Sequence, residues 1–583
     1  MIDPPHPERE RLAHQVGVTP LVAQVLLNRG LCEPDQARAF LMPRFNDLIS
    51  PEQTPNAPQA AARLLCAARE RRKIVIYGDY DVDGVTATAI LWHGLRLLGA
   101  DVDYYIPSRL DEGYGVNCEA LERIAADGGR LVITVDCGIT ACQAAAVARR
   151  LGLELIITDH HQPHAELPAA DLIVHPTACG RAAENPDLSG AGVALKVAWA
   201  LAREGSGGER VREDLREHLL DATAFAALGL IADVVPLIGE NRIITTFGLR
   251  RLRHTANPGL RALIDIAGLT SKPAYDDYDV GFLLAPRLNA IGRLGHAREA
   301  VELFTTADAA RAEAIARDLD GHNRRRQEVE RGIVKQAEAL VYERGMNRDG
   351  CHGIVLASEE WHPGVVGIVA SRLVERFGRP TVLIALENGA GQGSGRSVRH
   401  FPLHEVLGVC GEHLESHGGH AMAAGVRIRS ENVAAFTSAF LAEAGQRLTP
   451  ADLRRRVRLD DEVDLADLAP PVVSFLQRMA PFGPGNPRPK LASRPVRIVD
   501  TPRLVGSRGA HVQFNVRQGS THRRAIAFYA AERINELSDH NELRLAFEPI
   551  INEWNGSRRV ELKVIDWKPP EGEPAGVPHA GAC

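Results

Sequence analysis

The chain has 583 residues, 45% of them hydrophobic and 24% charged, with a net charge of −6. That length exceeds one ordinary core and predicts two to four domains, and the composition excludes fibrous, disordered and membrane-spanning classes. The acidic balance argues against a protein that coats duplex DNA, while leaving room for a local basic channel. The nine cysteines form no CxxC pair, and the N-terminus lacks the charged-then-apolar pattern of a secretory leader, so reduced thiols in a cytoplasm are expected.

In chain order, residues 1–50 predict short helices around LVAQVLLNRG and DQARAFLM, broken by Pro43 and Pro51. From residue 73 to 240 strand and helix patterns alternate. The runs KIVIYGD, DVDYYIP, LVITVDCG, LELIITDHH and DLIVHP predict strands, with helical stretches such as VTATAILWHGLRLLG between them. This alternation predicts a parallel α/β sheet, which binds ligands at the carboxyl ends of its strands. The Ala-, Glu- and Arg-rich stretch 296–346 predicts long linking helices, and a second α/β unit runs from GIVLAS to about residue 446. Beyond the Pro/Gly-rich APFGPGNPRP, five short β runs predict a small barrel of OB type, and the tail KPPEGEPAGVPHAGAC predicts disorder.

The segment Tyr77–Gly84 places Asp79, Asp81 and Asp83 at alternating positions directly after an apolar strand. Carboxylates so close repel one another unless a cation sits among them, and Gly78 and Gly84 allow the sharp turn around it. A calcium loop counted from Asp79 would need Glu at its twelfth position, where the chain has Ile90. Asp136 ends the strand LVITV, and Asp159, His160 and His161 end LELII. Asp233 lies inside the apolar run IADVVPL, where an unpaired carboxylate is costly. A strand-ending Asp is commonly a helix N-cap, yet four such segments together predict a carboxylate and imidazole site for Mn²⁺ or Mg²⁺.

In order and spacing, GDYDVDG, VDCGI, TDHH and IADVVPL resemble the four motifs of the DHH phosphoesterase family. The resemblance implies Asp81, Asp83, Asp136, His160 and Asp233 as ligands of two divalent ions, with Asp136 bridging, and it places Asp79 and His161 at or beside the metals. Asp136, His160 and His161 are the residues it implies for catalysis. Two such ions lower the pKa of a water and stabilise the attacking and leaving oxygens of a phosphodiester.

The second half resembles the DHHA1 substrate domain through SHGGHAMAAG, with Gly418, Gly419 and His420 as substrate-binding positions, and through GQGSGRS, with Ser394 and Arg396 holding a terminal phosphate. PRLNAIGR, with Arg287, Asn289 and Arg293, and the segment bearing Arg109 and Tyr114 are similar to RecJ-family segments that contact substrate. Arg suits such roles because its planar fork pairs two phosphate oxygens. Residues 451–583 carry 20 Lys and Arg against 17 Asp and Glu, a net of +3. Basic residues mixed with aromatics fit a single-strand groove, although the aromatics there are more simply core.

The expected architecture is α/β: an N-terminal helical segment (1–50), a parallel-sheet DHH domain (51–295), a helical linker (296–346), a DHHA1 domain (347–450), an OB-like barrel (451–568) and a tail (569–583). The resemblance to the RecJ family covers about residues 15–568. It implies a single-stranded-DNA-specific 5′→3′ exonuclease that releases 5′-mononucleotides, serves recombination and repair, and prefers a 5′-phosphate. A helicase and a single-strand-binding protein as partners, a monomeric state and no membrane contact complete the expectation. The alternative within the class is a DHH phosphodiesterase for short oligonucleotides or cyclic dinucleotides, which would lack the β domain. The alternative of another class is an inactive DHH-type binding or scaffold module, which would have lost acidic ligands that this chain keeps.

Overall fold

Runs of Ile, Val and Leu without polar alternation belong in a sheet covered on both faces. A computed structural model, describing residues 2, 4–107, 115–208, 210–294, 297–506, 509–554 and 557–570, shows five of them paired in parallel. They are β1 (Ile74–Gly78), β2 (Val102–Tyr105), β3 (Leu131–Val135), β4 (Glu154–Thr158) and β5 (Leu172–Val174), in the order β2-β1-β3-β4-β5. Every residue of β1 and β3 is buried. One face packs on the helices Ala57–Arg69, Val82–Leu97, Gly190–Ser206 and Glu213–Ala232, the other on Cys118–Ala126 and Cys142–Arg150. The strand order reverses at β1, with β2 on one side and β3 on the other. The crevice beyond the carboxyl ends of β1 and β3 is therefore where such a sheet takes a ligand.

The linking helices are Arg298–Thr305 and the 35-residue Ala309–Glu343. The second sheet comprises β6 (Ile354–Ser358), β7 (Thr381–Glu387), β8 (Ala390–Arg396), β9 (Ser416–Gly419) and β10 (Ala423–Arg429), in the order β6-β7-β8-β10-β9. The helix Pro363–Phe377 packs between this sheet and the long linker helix, sharing a core with Ile333 and Val341.

The C-terminal region is an eight-stranded antiparallel-rich sheet: β11 (Asp461–Val463), β12 (Leu491–Ser493), β13 (Arg497–Ile498), β14 (Arg503–Val505), β15 (His511–Gln518), β16 (Thr521–Ala527), β17 (Arg544–Trp554) and β18 (Ser557–Lys568). In β15 the period-two pattern buries Val512, Phe514 and Val516. The three N-terminal helices, Arg9–Val16, Pro20–Leu27 and Pro34–Leu41, do not stand apart. They share one apolar core with this β region, and Arg29 pairs with Asp460 at 2.9 Å. The tail expectation falls on residues that, from 571 onward, lie outside the described ones.

Arg242, on the helix Gly239–Leu252, joins these parts and is only 2% exposed. Its guanidinium donates to the carbonyls of Phe40 (2.9 Å), Met479 (2.7 Å), Pro481 (3.4 Å) and Arg478 (3.4 Å), and lies 3.9 Å over the Phe40 ring. Leu237 N to Pro484 O (2.9 Å) and Arg488 to Asp277 (2.9 Å) fasten the same seam. No helix among the described residues is long and apolar enough to cross a membrane.

Candidate metal centre and phosphate face

The first carboxylates stand where β1 runs into the helix Val82–Leu97. Asp81 caps that helix, its Oδ1 accepting from Asp83 N (2.9 Å) and Gly84 N (3.2 Å). Asp83 is fixed by a second helix start: Ser189 Oγ (2.8 Å), Gly190 N (2.6 Å) and Ala191 N (3.0 Å) all donate to it. Asp136 follows β3 with a left-handed backbone, φ 63°, and Asp79 N reaches back to Val135 O across the β1–β3 crevice. Two glycines give the room. A Cβ on Gly190 would stand 2.5 Å from Asp136 Cβ, and one on Gly229 would stand 2.2 Å from Asp83 Oδ1.

His160 Nε2 faces Asp136 Oδ1 at 3.1 Å, Asp233 Oδ2 at 3.5 Å and Asp83 Oδ2 at 3.8 Å. Three triads, Asp79/Asp81/Asp136, Asp136/His160/His161 and Asp83/His160/Asp233, each bring one ligand atom per residue within 4.8 Å of one another. Asp136 belongs to two of them. His161 is held from the side: its Nδ1 lies 2.7 Å from Asp159 Oδ1, while Asp159 Oδ2 accepts from Ile139 N. His175, buried behind, hydrogen-bonds the His161 carbonyl at 2.8 Å.

The electrostatics fit a cation. Burial, then Asp83, Asp81, Asp79 and Asp233, push the Asp136 carboxyl far above the usual range, and burial with Asp83 and Asp81 carries Asp233 to about 8. Burial and Asp83 likewise raise Asp81, while burial lowers His160. Burial opposes charge on His161, but the Asp159 hydrogen bond outweighs it and lifts the imidazole to about 9. The same contact holds Asp159 low against its own burial. Among the described residues no Lys or Arg pairs with Asp81, Asp83, Asp136 or Asp233, and Asp136 Oδ1 and His160 Nε2 are buried without a hydrogen bond. Oxygen-rich donors with one imidazole suit hard divalent ions such as Mg²⁺ or Mn²⁺.

The expected phosphate residues gather on the second sheet. Ser394 pairs with Gly425, which pairs in turn with Gly418, and Arg396 Nη1 donates to Ser394 Oγ at 2.9 Å. The result is a side-chain-poor strip beside a hydroxyl and a guanidinium. Gly419 has φ 137°, and a Cβ there would meet Ala423 O at 2.5 Å. His420 is exposed at the turn, its N bonded to Ala423 O. Asn289 lies at the other centre, Oδ1 accepting from Val82 N (3.1 Å). Arg287 is turned elsewhere, pairing with Asp320 at 3.0 Å and donating to Leu283 O. Arg109, Tyr114 and the Arg293 side chain lie outside the described residues.

The donors Ser189, Gly190 and Ala191, and the spacer Gly229, were not singled out from sequence. Their only signal is local: LSGAG is a cap residue followed by small ones, which permits close approach without stating to what.

Three family models match the chain: the DHH family, N-terminal domain, over residues 73–227; the DHHA1 domain over 350–446; and the RecJ OB domain over 459–566. The single-stranded-DNA-specific exonuclease RecJ of Bacillus subtilis (strain 168) is 39% identical over 557 residues, covering 95% of this chain and 69% of that protein. The chain belongs to the RecJ family. RecJ from Thermus thermophilus in complex with Mn²⁺ superposes with a TM-score of 0.82 at 32% identity, covering 98% of this chain and 79% of that one. Its Mg²⁺ complex gives 0.76 at 31%, with 98% and 78% covered. The α/β, DHHA1 and OB architecture expected from sequence is the RecJ architecture, and the two metal complexes of the Thermus protein carry the ions that this donor set suits.

Proposed function

We propose that the chain is a metal-dependent exonuclease that hydrolyses single-stranded DNA from the 5′ end and releases 5′-mononucleotides. The observation that carries this reading is Asp136, shared by two ligand triads at the carboxyl end of a parallel sheet, in a member of a family whose relatives are named for single-strand-specific exonuclease activity.

Asp79, Asp81, Asp83, Asp136, His160 and Asp233 would hold two divalent ions. Ions bound there supply Lewis acidity to a phosphodiester and neutralise charge on its attacking and leaving oxygens. The chain itself does the positioning. Ser189, Gly190 and Ala191 aim Asp83, the left-handed turn at residue 136 aims Asp136 into the crevice, and the hydrogen bond between Asp159 Oδ1 and His161 Nδ1 orients the imidazole beside it. Ser394 and Arg396, over the glycine strip, would take the phosphate of the strand's 5′ end. Arg gives a bidentate contact there that a neutral residue cannot. A helicase and a single-strand-binding protein that feed the strand, a monomeric state and a cytoplasmic setting belong to the same reading.

Digestion of oligonucleotides labelled at either end, single-stranded and blunt duplex, tests it in Mn²⁺ with and without EDTA. Release of the 5′ label as mononucleotide from the single strand only, abolished by EDTA, is expected, and Asp136→Ala should lose turnover while still binding the strand. Turnover of dinucleotides without cleavage of long strands would move the chain to the short-substrate branch of the DHH enzymes.

A further inference from the structure

Beside the carboxylate cluster lies a cavity of about 360 Å³ whose walls are mostly apolar. Three of its lining residues fix where it sits. Val234 follows Asp233 in the chain. Asn289 holds Val82 N between Asp81 and Asp83. Ile368 follows Gly367, at which a Cβ would stand 2.8 Å from Ser394 Oγ and 3.2 Å from Arg396 Nη2. Its lining thus adjoins the chain positions of the cluster at Val234 and Asn289 and those of the candidate terminal-phosphate pair at Ile368, while Leu237, Phe482, Gly483 and Pro484 of the seam close the rest.

Buried core residues, among them Leu230, Leu237 and Ala285, form part of its apolar wall, but other apolar groups there face solvent. Phe282 is 66% exposed, and Tyr278, 52% exposed, stacks behind it with ring centroids 4.8 Å apart and planes inclined by 21°. Phe282 sits on the π-helical turn Asp279–Leu284, a local widening found mostly at functional positions. Val234 is 64% exposed and left-handed, φ 62°, a backbone that a β-branched residue adopts only at a cost. Arg326 adds polarity at the wall: its Nη atoms bond Glu330 and Asn323, and its Nε is buried without an acceptor among the described residues. A flat aromatic shelf, an aliphatic side wall and a few polar groups match a nucleobase, whose faces are apolar and whose edge carries acceptors.

We infer that this cavity receives the base of the 5′-terminal nucleotide, stacked on Phe282, so that one nucleotide is gripped by its base as well as by its two phosphates. The inference rests on the exonuclease reading above. Base stacking would set the register in which the first phosphodiester meets the carboxylates, and would do so for any sequence because every base has a π face.

The test uses the intact chain and a 5′-phosphorylated single strand carrying 2-aminopurine at position 1 or position 6. In EDTA, binding should alter the position-1 emission with the unchanged protein and with Phe282→Trp. With Phe282→Leu the emission should return toward that of the free strand, while position 6 stays indifferent to residue 282. In Mn²⁺, an abasic residue at position 1 should raise KM about tenfold for the unchanged protein and leave Phe282→Leu without preference between the intact and abasic strands. A bound strand whose position-1 emission does not respond overturns the slot. So does an abasic penalty equal at positions 1 and 6. Failure to cleave any strand removes the exonuclease reading and the slot with it, whereas cleavage indifferent to the position-1 base removes the slot alone.

Discussion

Replacing Arg242 by Met tests whether one buried guanidinium couples the catalytic sheet to the N-terminal and C-terminal parts of the chain. Met keeps much of the packing over Phe40 but removes the donors to Phe40 O and Met479 O, at 2.9 and 2.7 Å, and the two longer contacts to Pro481 and Arg478. A buried carbonyl left without its donor costs about 1–3 kcal/mol, so two well-made bonds set a gross loss of about 2–6 kcal/mol. Against that, burial lowers the Arg242 pKa from 12.5 to about 10, and Met relieves that unfavourable term, worth about 3 kcal/mol. Loss of the cation–π contact and of the longer bonds offsets part of that relief, leaving a net weakening of about 2 kcal/mol, or roughly thirtyfold in local opening. Hydrogen exchange read by mass spectrometry on peptides 36–44 and 476–488 should accelerate by that order. A peptide over β3 should keep its protection, because β3 is buried within the other core. Unchanged exchange in both seam peptides, or equal acceleration in β3, would refute the coupling.

Gly190→Ala should abolish most turnover with the fold intact. Its Cβ must displace Asp136, 2.5 Å away, so circular dichroism should be unchanged while kcat falls at least tenfold. Arg396→Ala should erase the preference for a 5′-phosphate over a 5′-hydroxyl, read as the ratio of kcat/KM on the two strands, and an unchanged ratio would remove Arg396 from that contact. His218→Asn should flatten the acid side of the stability profile. Burial, then the neighbouring His93, lowers the folded-state pKa of His218 to about 4, below the ordinary 6.5. The unfolded chain therefore takes up the proton first as pH falls, and stability present above pH 6.5 is lost between 6.5 and 4, by about 3 kcal/mol. Urea midpoints at pH 7 and pH 4.5 should differ less in the variant than in the unchanged protein.

The parts of the site legible in the sequence are those carried by short-range pattern. Asp79, Asp136, Asp159 and the two histidines end apolar runs, and a run of β-branched residues closing on a carboxylate places it at a strand end whatever the rest of the chain does. What was not legible depends on partners far away in the chain. Arg287 sits in a segment shaped for substrate contact, yet Asp320, 33 residues on along the linker helix, holds its guanidinium. Arg242 lies in GENRIITT, where nothing local distinguishes a fully buried cation from a solvated one; its acceptors come from residues 40 and 478–481. The N-terminal helices have the amphipathic look of an independent segment, and their apolar faces are completed by strands and the helix Pro470–Arg478, all more than 400 residues later.

The carboxylate cluster is assembled from pieces that each resist it. Asp136 needs a left-handed turn, Asp83 needs three donors from a distant helix start, and glycines at 190 and 229 give up side chains to admit them. These costs fall on the backbone and are met by the surrounding sheet, whose strands β1 and β3 are buried along their whole length. The mutual repulsion of the carboxylates is a different matter, because no packing removes it. Burial first, and this repulsion after it, raise Asp136 and Asp233 together, and the repulsion falls only when positive charge enters the crevice. Divalent ions should therefore stabilise this sheet as well as activate it. The rise in thermal midpoint on adding Mn²⁺ should be much smaller in Asp136→Ala, which breaks two of the three triads and leaves only Asp83/His160/Asp233 intact.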